Sequence, residues 1–191
     1  AALLTGERVA LNLAMHLSGI ATATRQYVDC LANTKARLVD TRKTTPGLRL
    51  LEKYATRVGG AVNHRLGLDD AVMIKDNHIA AAGGITAAVG HIRQHIPYPM
   101  AIEVETTCLE QVLEALACEV DIIMLDNMDV GTMHQAVQRI RDIRPVVKSE
   151  ASGNVTLERL QAIAATGVDY ISSSAPITRS TWLDLSMRLI H

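Results

Sequence analysis

Apolar residues recur at helical spacing before position 35: Leu11, Met15, Leu17 and Ile20, then Tyr27, Val28 and Leu31. N-terminal helices are therefore expected over residues 1–34. The pattern then changes. Short apolar runs rich in β-branched residues appear at Ala36–Asp40, Ala71–Lys75, Met100–Glu105, Val120–Leu125, Pro145–Ser149 and Val168–Ser172. Helical patterns fall between them, at Leu48–Val58, Ile85–His95, Leu109–Ala117, Gly131–Ile143 and Leu157–Thr166. Strands alternating with helices imply right-handed βαβ units and a parallel sheet. Eight such units normally take about 250 residues. The expectation is thus an α/β fold, a TIM-like but incomplete parallel barrel of six or seven strands spanning residues 35–191.

Composition adds exclusions. The 191 residues are 48% hydrophobic and 20% charged, which is a globular balance. There is no Phe and one Trp, so the core must be aliphatic. Nineteen Lys and Arg against 20 Asp and Glu leave no global basic field for a nucleic-acid backbone or an anionic membrane surface. Cys30, Cys108 and Cys118 form no CxxC and leave an odd one over, which suits a reduced cytoplasm better than a disulfide framework. The uncharged stretch between Arg8 and Arg25 is interrupted by Asn12, His16, Ser18 and Gly19, too polar to span a bilayer. The chain opens Ala-Ala-Leu-Leu without Met, as a trimmed product or a piece of a longer chain would.

The polar residues follow a rule. Every expected strand ends in ionisable or hydroxyl side chains: Asp40-Thr41-Arg42-Lys43, Lys75-Asp76-Asn77-His78, Glu103-Val104-Glu105, Asp126-Asn127, Glu150-Ala151-Ser152-Gly153 and Ser172-Ser173-Ser174. Parallel α/β barrels gather these ends on one rim, where their active sites lie. Arg42, Lys43, Arg65 and Lys75 bring cations to that rim, forks for carboxylate or phosphate and point charges respectively. Such a cluster repels itself unless its ligand is multiply anionic. The plain alternative pairs each cation with a local carboxylate, but adjacent Arg42 and Lys43 have only Asp40 near in sequence.

Glu105 and Asp126 end neighbouring strands and can face one pocket, where two carboxylates suit Mg²⁺ or ribose hydroxyls, or serve as counter-ions to the lysines. Ser152-Gly153-Asn154 precedes a helix and can cradle a phosphate on backbone N–H groups. Ser172–Ser174 ahead of Pro176 reads the same way. No GxGxxG, GxxxxGK[ST] or GxSxG is present. Most other acidic residues are expected on the outer helices. His91 and His95 read as surface residues.

Together these motifs resemble the quinolinate phosphoribosyltransferase family, the carboxylating nicotinate-nucleotide pyrophosphorylases. The resemblance covers nearly the whole chain. It is carried by the stretch Asp40–Arg49 (DTRKTTPGLR), by Asn63-His64-Arg65, by Ile74–His78 (IKDNH), and by Glu103-Val104-Glu105. Leu125-Asp126-Asn127, Glu150–Asn154 and Gly167–Ser172 follow in the family's order. The resemblance implies transfer of a phosphoribosyl group from phosphoribosyl pyrophosphate to quinolinate with Mg²⁺ as cofactor. Pyrophosphate and CO₂ leave, and nicotinate mononucleotide results. It further implies that Arg42, His64, Arg65 and Lys75 line the quinolinate pocket, with Lys43 near the anionic groups. Glu105 and Asp126 would hold ribose hydroxyls and metal, and Ser152, Gly153, Ser173, Ser174 and Ala175 the 5′-phosphate. Lys43, Lys75, Glu105 and Asp126 are the catalytic candidates. Arg8 matches an arginine that family members insert into the neighbouring subunit's site, implying a homodimer or larger assembly. The family's N-terminal α/β sandwich domain is not contained in the chain, and residues 1–34 would link to it.

Two other readings fit the same residues. A Schiff-base lyase would use Lys75 as nucleophile from a strand end. A non-catalytic fragment would bind anionic nucleotides on the same rim.

Overall fold

The computed structural model describes residues 2–188. One helix, α1 (Ala2–Cys30), runs the whole N-terminal stretch where several were expected. Ser18-Gly19 does not break it, because Gly19 serves packing. A Cβ there would stand 2.2 Å from the Thr181 carbonyl, and the absent side chain lets the C-terminal segment cross the helix. Leu183 N donates to Met15 O at 3.1 Å beside that crossing.

The alternation that follows is β1 (Arg37–Val39), α2 (Arg49–Val58), β2 (Val72–Ile74), α3 (Asp76–Ala82), α4 (Ile85–Arg93), β3 (Ile102–Thr106), α5 (Leu109–Ala117), β4 (Ile122–Asp126), α6 (Val130–Ile143), β5 (Lys148–Ser152), a 3₁₀ turn (Leu157–Arg159) leading into α7 (Leu160–Ala164), β6 (Tyr170–Ser172) and α8 (Ala175–Thr178). All strand pairs are parallel, in the order β1-β6-β5-β4-β3-β2. Val62 forms a single parallel bridge with Val39 on the far side of β1 and takes the place of a seventh strand. The seam between that segment and β2 is crossed by side chains: the Arg65 guanidinium donates to Ala71 O at 2.7 Å.

Two expectations shift. Residues 76–82 form helix α3, started at once after β2, with His78 Nδ1 accepting the Lys75 N–H at 3.0 Å. Strand β5 begins three residues later than the apolar run Pro145–Ser149 suggests. Pro145 lacks the ladder N–H, and Val146 is 80% exposed. The shift moves Glu150 from a strand end into the strand's buried interior.

The outward strand positions Val104, Ile123, Leu125, Ala151 and Ile171 are fully buried, within a core that includes Val112 and Ala115 of α5, Met133, Ala136 and Ile140 of α6, and Ile163 of α7. Removing this aliphatic area from water holds the helices to the sheet. The inward positions are different in kind. The register sets Met73 beside Glu103, Glu105 beside Met124, Met124 beside Glu150, and Asp126 beside Ser152. Barrel interiors are normally filled with branched apolar side chains. This one is polar toward the carboxyl ends of its strands, and that polarity makes the site.

Candidate active site

A cavity of about 630 Å³ opens at those carboxyl ends. Arg42, Lys43, His64, Arg65, Lys75, Glu105, Asp126, Ser152 and Gly153 line it together. A smaller cavity of about 220 Å³ shares Thr41, Lys43 and Ser152–Asn154 with it and is lined further by Ser173, Ser174 and Ala175. Of the expected site residues only Arg8 lies elsewhere. It is exposed near the start of α1 and lines neither cavity of its own chain.

The rim is held by a buried polar network that the sequence did not disclose. Asp40 Oδ1 accepts from Lys53 Nζ at 2.5 Å and from the His64 N–H at 2.8 Å. Its Oδ2 accepts from Thr56 Oγ1 at 2.9 Å and Asn63 Nδ2 at 2.6 Å, while Lys53 also donates to His64 O at 2.8 Å. Asp40 is therefore spent on α2 and the 63–64 segment and is no counter-ion for Arg42 or Lys43. The loop after β1 is tied a second way: Glu52 accepts the Thr45 N–H at 2.9 Å and contacts His16 Nε2 at 2.7 Å.

The cations are under mutual strain. Partial burial, then the charge of Arg42, lower the Arg65 pKa from its usual range. Arg42 Nε is buried with no acceptor. Arg42 and Arg65 line the same cavity, one with an orphaned donor and the other offset only in part by Glu103 and Asp70, an arrangement suited to an anionic partner.

Beneath them His64 spans the interior. Its Nδ1 accepts the Arg65 N–H at 2.8 Å, and its Nε2 lies 3.2 Å from Glu103 Oε2 and 3.6 Å from Glu150 Oε2. Burial pulls the His64 pKa down, but the hydrogen bond to Glu103 and the charges of both carboxylates outweigh it, and the net direction is up. The Nδ1 acceptor role opposes a second proton on the ring. Glu150 is pushed up to about 7, first by burial and then by the charge of Glu103, against the lowering pull of His64. Both glutamates carry an Oε1 that is buried without a hydrogen-bond partner. His64 thus lines the pocket as expected, yet both ring nitrogens are already engaged.

Lys75 Nζ sits 2.5 Å from Glu105 Oε2, with the lysine side chain 45% exposed. Asp126 Oδ2 accepts from Asn127 Nδ2 at 2.7 Å. Two oxygen-donor carboxylates at adjacent strand ends, outside the one three-residue cluster of His, Cys, Asp and Glu ligands found among the described residues (His64, Glu103 and Glu150), fit the habit of Mg²⁺. It takes one or two carboxylates and completes its shell with water and substrate phosphate. Across the pocket Gly153 has φ +88°, and a Cβ there would stand 2.2 Å from Asn127 Oδ1. The left-handed backbone and the tight approach both require glycine.

Several residues escaped sequence reasoning as participants. Glu103 and Glu150 stand in the sequence as strand-end polarity and as parts of the family's motifs, with no role of their own; the available signal is, for Glu103, a glutamate between Ile102 and Val104 inside a buried strand. Thr156 and Arg179 line the smaller cavity, and nothing in their spacing announced it. Glu105 and Asp126 line the cavity as expected, and Glu150 joins them, interleaved with its cations.

Comparison with known proteins agrees with this geometry. The family model described as quinolinate phosphoribosyl transferase, C-terminal domain, matches residues 20–188. A probable nicotinate-nucleotide pyrophosphorylase [carboxylating] of Synechocystis is 70% identical over 99% of this chain and 64% of its own length. The corresponding Bacillus subtilis protein is 52% identical over 98% of this chain, again 64% of its own length. The crystal structure of NadC from Streptococcus pyogenes superposes with a TM-score of 0.90 at 47% identity, covering 97% of this chain and 64% of that one. The chain therefore spans a little under two thirds of the relatives it matches.

Proposed function

The chain belongs to the quinolinate phosphoribosyltransferase family, and from that premise we propose that it carries the site joining quinolinate to phosphoribosyl pyrophosphate. Nicotinate mononucleotide, pyrophosphate and CO₂ are the products. One observation supports this most: Arg42, Arg65 and Lys75 line one cavity together with the carboxylates Glu105 and Asp126, and Arg42 Nε lacks an acceptor.

A dicarboxylate relieves the repulsion of the guanidinium pair and takes the orphaned donor. Fixed at two carboxylates, the pyridine ring has its nitrogen aimed toward the anomeric carbon, which removes much of the orientational entropy of the encounter. Lys43 borders both cavities, placed to hold phosphate charge between them. Ser152–Asn154 and Ser173–Ala175 offer small side chains and backbone to a 5′-phosphate. Glu105 and Asp126 hold ribose hydroxyls and favour the positive charge of an oxocarbenium-like ribose as the leaving group departs. Glu105 and Asp126 would hold Mg²⁺, which would supply charge neutralisation for the pyrophosphate. Quinolinate nitrogen becomes cationic on transfer and serves as the electron sink for losing the adjacent carboxylate.

In this reading Arg8, exposed on α1 and lining neither cavity of its own chain, serves a second copy in a homodimer or larger assembly. The three free thiols suit a reducing cytoplasm. Among the described residues no helix is long and apolar enough to cross a membrane. The Schiff-base reading is weaker, because Lys75 is engaged by a carboxylate among other charges rather than set alone in an apolar pocket. Assay of the full-length protein for Mg²⁺-dependent nicotinate mononucleotide and CO₂ from quinolinate tests the assignment.

A further inference from the structure

The reaction proposed above leaves one proton without a source. Departure of CO₂ breaks the bond between the ring carbon and its carboxylate, and the electron pair stays on that carbon. Nicotinate mononucleotide carries hydrogen there, so an acid must deliver H⁺ to the carbon. Lys43, Lys75, Arg42 and Arg65 are occupied by substrate anions in that reading, and Glu105 and Asp126 act as carboxylates.

From the placement of Glu150 in the cavity wall and its pairing with buried Glu103 around one imidazole, we infer that Glu150 enters the reaction as a carboxylic acid. It protonates the ring carbon that CO₂ has left. The inference rests on the proposed reaction and assigns its missing acid. Glu150 lines the main cavity, whereas Glu103 does not. Both are about 97% buried or more. Two ionised carboxylates sharing a single imidazole 3.2 and 3.6 Å away, with a buried orphan oxygen each, would carry an uncompensated negative charge in the interior. A proton on one carboxyl lessens that charge and ends the repulsion between the two. His64 Nε2 faces Glu103 more closely, which leaves Glu150 as the protonated member. Its elevated pKa, raised by burial and by Glu103, follows from the same geometry.

The other groups acting on Glu150 are His64, from the segment after Val62, Lys75 after β2, and the Ser172 hydroxyl on β6. A neutral acid also suits a pocket that must admit a dianion, because an ionised Glu150 would repel it. In the step itself the Glu150 O–H bond breaks, the new C–H bond forms with the pair left by CO₂, and the resulting carboxylate regains a proton from solvent. No oxidant or reductant takes part.

The test uses full-length wild-type and Glu150→Gln proteins, assayed from pH 5.5 to 9. Glutamine keeps the shape but cannot give a proton. Wild-type turnover should fall as pH rises through about 7. The variant should lose at least about a hundredfold in turnover, lack that fall, and bind quinolinate within about threefold of wild type by titration calorimetry. Infrared difference spectra at pH 6 give a second readout: a protonated-carboxyl band present in wild type and absent in the variant. Turnover within about twofold of wild type, or absence of the band, overturns the inference. A wild-type enzyme that forms no nicotinate mononucleotide instead defeats the proposed function, and the infrared band then still decides the protonation of Glu150.

Discussion

Lys53 Nζ lies 2.5 Å from Asp40 Oδ1, with each side chain only 1% exposed. This buried pair fastens α2 and the end of β1 to residues 63 and 64, where a single bridge, Val39 to Val62, replaces a strand ladder. The position of His64 and Arg65 at the seam therefore depends on two charges that never meet water.

Removing one partner leaves the other buried and unpaired. Lys53→Met should lower unfolding free energy by about 3–5 kcal/mol, measured by urea unfolding. The Asp40→Leu/Lys53→Met double variant should lose less than Lys53→Met alone, since neither charge remains. A double variant at least as unstable as the single one would show that the pair acts chiefly through its hydrogen bonds.

Stability should depend on pH through the interior carboxyl. A carboxyl whose folded pKa lies above its unfolded value binds its proton more tightly in the native state. Its contribution is thus lost as pH rises from the unfolded value of 4.5 toward about 7. The raised pKa of His64 acts in the same direction as pH rises further. Melting temperature should decline between pH 5 and 7.5 in wild type and decline less in Glu150→Gln, followed by calorimetry.

Gly153 holds a left-handed backbone against Asn127. Gly153→Ala forces strain of about 1–2 kcal/mol and displaces the Asn127 side chain. KM for phosphoribosyl pyrophosphate should rise about tenfold while quinolinate affinity, read by calorimetry, stays near wild type. An equal loss for both substrates would place this loop outside the phosphate site.

Lys75 is paired with Glu105 but half in solvent, and partly exposed pairs contribute about 0–1 kcal/mol to folding. Lys75→Ala should leave the melting temperature nearly unchanged and reduce turnover at least about a hundredfold. Borohydride trapping of a carbonyl substrate on Lys75 would instead favour the lyase chemistry.

The alternation of β-branched runs with helical patterns was enough to read the six parallel strands and most helices, because buried strands and amphipathic helices differ in period. The rim was legible for a similar reason: polar residues directly after an apolar run emerge where parallel strands end. What stayed hidden depends on distance in three dimensions. Nothing local to Asp40 indicates that Lys53, thirteen residues on, consumes its charge. Pro145 and Val146 extended the apparent fifth strand the wrong way, so Glu150 looked like a strand-end residue and not an interior one. Gly19 announces no role either, because its contact, with Thr181, lies at the opposite end of the chain.

The central claim is most directly tested by incubating the full-length protein with quinolinate, phosphoribosyl pyrophosphate and Mg²⁺ while following nicotinate mononucleotide and CO₂ together. Equimolar formation of both is predicted, lost on chelation of the metal and in Arg65→Ala. No product, or equal use of nicotinate without CO₂ release, would contradict the account.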